Sequence, residues 1–114
     1  VGYWGFGLLD GDTPLDVKDT FDENKPVDAA GVLAMFNDFS DRQWGSDAII
    51  TLAELVMRAR LPLSPFCRTL TIEALDAEYK KLNEWTEPEE RRRVLDQFKS
   101  DLRAYLVDPA YQVG

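Results

Sequence analysis

The chain has 114 residues, 45% of them apolar and 30% charged, with 21 acids against 13 bases, one cysteine and no histidine. That profile suits one globular domain, 1–114, with enough chain to bury a core without disulfide or metal staples. Without histidine the commonest general base, zinc ligand and near-neutral switch are missing, and a formal charge of −8 disfavours direct nucleic-acid binding.

In chain order, the first feature is Gly2-Tyr3-Trp4-Gly5-Phe6-Gly7-Leu8-Leu9-Asp10-Gly11-Asp12, with four glycines and three aromatics. Such a stretch implies an irregular backbone pinned by rings, either as a lid on one end of a core or as an exposed recognition loop. Thr13-Pro14 then reads as helix cap and first helical residue, with Asp16 three positions after Thr13. Leu15, Val17 and Phe21 give helix 1 over about 14–23, and Pro26 ends it. Asp28 is the next cap. Val32, Met35, Phe36 and Phe39 recur at offsets of three and four, giving helix 2 over about 29–39, weakened by Gly31. A polar loop from Ser40 to Gly45 carries Trp44.

Helix 3 runs from Ser46 or Asp47 to about Arg60. Thr51, Glu54 and Arg58 make one narrow polar stripe, and apolar residues cover the rest, which predicts a central helix with the others around it. Ser64-Pro65 repeats the cap-plus-proline signal and opens helix 4 over about 65–82. Phe66, Leu70, Ala74 and Leu75 are expected inward, with Tyr79 and Leu82 extending that face. Trp85 falls in the next turn. Thr86-Glu87-Pro88-Glu89 reads as a capping box for helix 5, over about 87–107. Its apolar stripe is Val94, Leu95, Phe98, Leu102, Tyr105 and Leu106. Glu87 with Arg91, and Glu89 with Arg93, are expected as i,i+4 pairs on a solvated face. Asp108-Pro109 stops the helix. No strand signal is sustained, so the predicted fold is all-α: a compact bundle of about five helices around helix 3, capped by the glycine-aromatic segment.

Two stretches resemble a known family. Gly2, Trp4, Gly5, Gly7, Asp12, Thr13, Leu15, Asp16, Val17 and Asp19 are similar to the opening M-G-x-W-G-x-G and following acidic segment of small uncharacterised bacterial proteins, grouped as a domain of unknown function. Trp85, Pro88, Arg91, Arg92, Val94, Leu95 and Leu102 resemble that family's W-x-x-P-x-x-R-x-x-V-L-x-x-L segment. Val1, Tyr3 and Phe6 depart from the Met, Ala and Thr of the opening. The resemblance spans nearly the whole chain and implies a shared fold; it carries no activity.

The candidate chemistry is sparse. Asp10-Gly11-Asp12-Thr13 falls one residue short of the D-x-D-x-T of haloacid-dehalogenase-type phosphatases, and no alternating strands and helices follow it. Asp10, Asp12 and Asp16 offer oxygen ligands for a divalent cation, without EF-hand spacing. Arg91, Arg92 and Arg93 are consecutive on a helix and cannot converge on an anion. Cys67 stands at a helix start, where the dipole favours a thiolate, but Phe66 and Leu70 argue for burial as a small core residue. A lone thiol suits a reducing compartment, so cytoplasmic placement is expected. No basic stretch followed by an apolar core marks a signal peptide, and no apolar run approaches the roughly 20 residues of a membrane span.

The charge is uneven. Residues 1–57 hold 11 acids and 3 bases, whereas 58–114 hold 10 of each. The leading expectation is therefore a non-enzymatic, inhibitor, immunity-like or adaptor domain. It would bind a basic protein partner through its acidic N-terminal half, at Asp16, Asp19, Asp22 and Trp44, with no cofactor, metal or membrane. The alternative is a metal-dependent hydrolase built on Asp10, Asp12 and Asp16.

Overall fold

The computed structural model describes residues 12–42, 44–85 and 87–107. Helices α1 (Asp12–Asn24), α2 (Ala29–Asp41), α3 (Ser46–Arg58), α4 (Pro65–Lys80) and α5 (Pro88–Val107) follow one another, with a 3-10 turn at Leu82–Glu84 before α5. The all-α expectation holds, and no β-strand forms among the described residues. The lid or loop expected at residues 1–11 lies outside the described residues, as do Thr86 of the predicted capping box and the tail from Asp108. No described helix is long and apolar enough to cross a membrane.

Helix ends follow the local chemistry of the chain. α1 begins at Asp12, earlier than expected, so Thr13 and Pro14 lie inside its first turn and Thr13 is not its cap. Proline is tolerated there because first-turn amides have no intrahelical acceptor. The helix closes on Lys25, whose amide donates to the Phe21 carbonyl at 2.9 Å with φ at 46°. A side chain in the left-handed region is strained, and glycine is not. Lys25→Gly is therefore expected to raise stability by about 0.5–1 kcal/mol, read as a higher urea midpoint, whereas Lys25→Ala gains nothing.

Asp28 caps α2 as expected, its Oδ1 accepting the Gly31 amide at 2.8 Å. Gly31 costs helix propensity but allows close approach: a Cβ there would stand 3.3 Å from Pro26 Cα. At the other end the Trp44 amide donates to the Phe39 carbonyl at 3.1 Å, and the two rings stack at 4.6 Å. α3 ends in the same way. Leu61 N–H reaches the Val56 carbonyl and Arg60 N–H the Met57 carbonyl, both at 3.1 Å, with Arg60 at φ 58° where glycine is usual.

α3 is the centre. It packs against α1, α2, α4 and α5, and every residue from Ala48 to Met57 is buried. The polar stripe does not open a window to water. The Thr51 hydroxyl donates to the Asp47 carbonyl at 2.8 Å, and buried Glu54 lies 3.9 Å from Arg58.

α4 corrects one expectation. Its buried residues are Cys67, Thr71, Ala74, Leu75 and Glu78, while Phe66 is 43% exposed. Ala74 and Leu75 are buried and Leu70 packs at the core's edge as expected, but Thr71 and Glu78 complete the inward face in place of Phe66, because these two polar residues are satisfied internally. The Thr71 hydroxyl donates to the Cys67 carbonyl at 2.7 Å, and Glu78 meets an arginine from α5. On α5 itself Val94, Leu95, Phe98 and Leu102 are buried as expected, with Tyr105 and Leu106 packed at the core's edge. The Tyr105 hydroxyl donates to the Leu61 carbonyl and ties α5 to the α3–α4 connection.

Candidate functional site

On α1, Val17 and Phe21 turn towards the core. Asp16, Asp19 and Asp22 are all exposed. They are not equivalent. Offsets of three and four place Asp16, Asp19 and Glu23 on one strip of the helix, roughly opposite the core. Asp22 lies off that strip and is held by Lys18, Nζ to Oδ2 at 2.9 Å. The hydrogen bond to Asp22 is also the main cause that raises the Lys18 pKa above its ordinary value. Asp22 is thus partly neutralised by its own helix, and Glu23, which sequence reasoning did not single out, completes the acidic strip.

Trp44, the fourth expected partner residue, stands at the end of α2 beside Phe39. It is half-buried, stacked on Phe39 at an interplanar angle of 17°. Phe39 in turn forms the floor of a groove of about 190 Å³ between α1 and α2. Thr20 and Asn24 line the α1 wall, and Pro26 closes the end. Gly31, Ala34, Met35 and Asp38 line the α2 wall. Thr20 stands one turn from both Asp16 and Glu23, so the acidic strip borders the groove. Asp38 was absent from the sequence-level candidates. Its signal was present in the small residues Gly31 and Ala34 preceding it at helical spacing, which leave room above a helix face.

A second polar cluster is internal. Arg91 is 2% and Glu78 4% exposed, and Arg91 Nη2 donates to Glu78 Oε1 at 3.2 Å. The other carboxylate oxygen accepts from the Ser46 hydroxyl at 2.5 Å, and Lys81 Nζ stands 3.8 Å from it. The Lys81 ammonium also donates to Ser46 Oγ at 3.2 Å, and the Arg91 guanidinium lies 4.3 Å over the Trp85 ring. The expected Glu87–Arg91 pair is therefore replaced by a pair across helices. Glu89–Arg93 gives way to i,i+3 contacts, Arg92–Glu89 at 3.9 Å and Arg93–Glu90 at 2.5 Å. With three donors around one carboxylate, Glu78 is a structural pin between α3, α4 and α5.

Other reactive groups are quiet. Cys67 is fully buried, and that burial raises its thiol pKa, against a weaker opposing effect of the Ser64 hydroxyl 3.2 Å from Sγ. The Ser64 hydroxyl is thereby turned away from capping α4, which has no side-chain cap. Burial and the hydrogen bond to Asp96 push the Tyr79 phenol up to about 12. No group of three or more His, Cys, Asp or Glu is arranged to hold a metal ion among the described residues. Of the acids proposed for a metal, Asp16 is exposed on α1, while Asp10 and the Asp12 side chain lie outside what is described. No family model, curated protein or solved structure matches this chain.

Proposed function

We propose that the chain is a non-enzymatic protein-binding domain, of inhibitor, immunity-like or adaptor type, that takes a basic partner on the outer face of α1 and α2. The observation that carries this reading is the Asp16–Asp19–Glu23 strip, fully on the surface of the half of the chain that holds the entire charge excess. Carboxylates of one sign on a helix packed against α3 attract and orient a basic surface. The internal Glu78–Arg91 cluster and the buried thiol offer no competing reactive centre. Kinship with the small bacterial family that the opening motif resembles is part of the same proposal, as is a cytoplasmic setting, which a lone buried thiol suits.

Affinity capture with the tagged protein tests the reading. Basic proteins are expected on the wild type, and the triple variant Asp16→Lys, Asp19→Lys, Glu23→Lys is expected to lose them while keeping its helical circular dichroism. Asp22→Lys, at an acid already shared with Lys18, is expected to weaken capture less. Raising the salt from low to about 0.5 M should also release the partner, because exposed charges are screened over a few ångströms there. Undiminished capture by the folded triple variant rejects the proposal.

A further inference from the structure

Resting on that reading, we infer that the α1–α2 groove is the receptor for an arginine side chain presented by the basic partner. The walls are hydrogen-bonded in a way that favours a donor-rich guest. The Thr20 hydroxyl donates to the Asp16 carbonyl at 2.9 Å, and the Asn24 amide donates to the Thr20 carbonyl at 2.8 Å. Two of the groove's own donors are therefore turned onto the α1 backbone. What the walls offer a guest is mostly oxygen: the Thr20 hydroxyl lone pairs, the Asn24 side-chain carbonyl and the Asp38 carboxylate, with one Asn24 N–H as the remaining side-chain donor.

Charge and shape narrow the guest further. Asp16 and Glu23 border the α1 wall, so the approach to the groove is acidic on that side, while Asp38 on the α2 wall shares its charge with Arg42 as Asp22 does with Lys18. Two cations are nearby. Lys25 adjoins Pro26, and Arg42 donates its Nε to Asp38 Oδ1 at 3.0 Å. Arg42 is 68% exposed, so a guest at Asp38 competes only with a surface pair, which is weak. Met35 and Phe39 give the groove an apolar lining, with a narrow accessible edge at Met35. An aliphatic stem over an apolar floor, with a planar fork reaching acceptors on two walls, describes arginine. Lysine brings its donors on one nitrogen and cannot span both walls.

The test uses a blocked peptide of three arginines spaced by alanine, with citrulline, lysine and glutamate versions as controls. At low salt, ¹⁵N-resolved amide shifts are expected at Thr20, Gly31, Ala34 and Asp38 with the arginine peptide. Several-fold weaker binding is expected for lysine, and none for citrulline or glutamate. Ala34→Phe fills the groove from an exposed helix position and changes no charge; it is expected to weaken the arginine peptide at least about tenfold. Equal binding by Ala34→Phe, shifts spread along Asp16–Glu23 without the groove, equal binding of the glutamate peptide, or no response at millimolar peptide each overturns the inference. Those results leave the acidic-face reading standing if the triple charge reversal still abolishes capture. If the reversal leaves capture intact, that reading fails on its own.

Discussion

Replacing Glu78 with leucine is expected to destabilise the fold by about 3–5 kcal/mol, a large share of the roughly 5–15 kcal/mol typical of a small domain. The cost comes from what remains. Arg91, 2% exposed, keeps a full positive charge in the interior after its carboxylate has gone. Arg91→Met should cost less, because the Ser46 hydroxyl and the Lys81 ammonium stay beside Glu78 and continue to balance it. The pair Glu78→Leu with Arg91→Met removes both charges and restores an apolar packing problem, so most of the single-variant losses are expected to return. Urea unfolding followed by circular dichroism gives the four corners of a double-mutant cycle. Additive losses would show that the two residues are held by other partners and that the pin between α4 and α5 is not one unit.

That cluster also shows where reading the chain stopped. Glu78 and Arg91 look like ordinary surface charges on helices rich in charge. Arg91 has Glu87 four residues before it, which is the spacing of a solvated pair. The local pattern ranks charges by neighbours in sequence, and burial is decided by neighbours in space. The same blindness misplaced one ring of α4. Phe66 is more apolar than Thr71 or Glu78, so periodicity turned Phe66 inward. The fold instead buries the two polar residues, whose hydrogen bonds are met, and leaves the ring at the surface.

What was legible had a local cause. Asp28, the Pro65 start, the break before Ser64 and the two-sided apolar run of α3 each act within a few residues, and each stands where expected. The acidic half was legible as a total. Its division was not: Lys18 sits four residues before Asp22 and removes it from the free strip, while Glu23 and Asp38 acquire importance only once α1 and α2 lie side by side. Trp44 was expected as a partner anchor because a tryptophan in a polar loop is conspicuous. It is half-buried and stacked on Phe39, a contact that its place in a polar loop did not foretell.

The groove and the strip both hang on α3, so the second large effect is expected there. Leu52→Ala should cost about 2–5 kcal/mol, the range for deleting a buried leucine and leaving part of the hole open. Leu52 has no solvent exposure, and α3 touches all four other helices, so no single element can move in to close the space. Ile72→Ala on α4 is the comparison. That side chain is 47% exposed, and its loss should stay near 0.5 kcal/mol. Thermal and urea unfolding of both variants measure the difference. Because α1 packs on α3, Leu52→Ala should also speed amide exchange along α1 and blur the spacing of Asp16, Asp19 and Glu23 before the whole fold is lost. Equal losses for Leu52→Ala and Ile72→Ala would mean that α3 is not the support of the acidic face, and a docking surface on α1 would need another foundation.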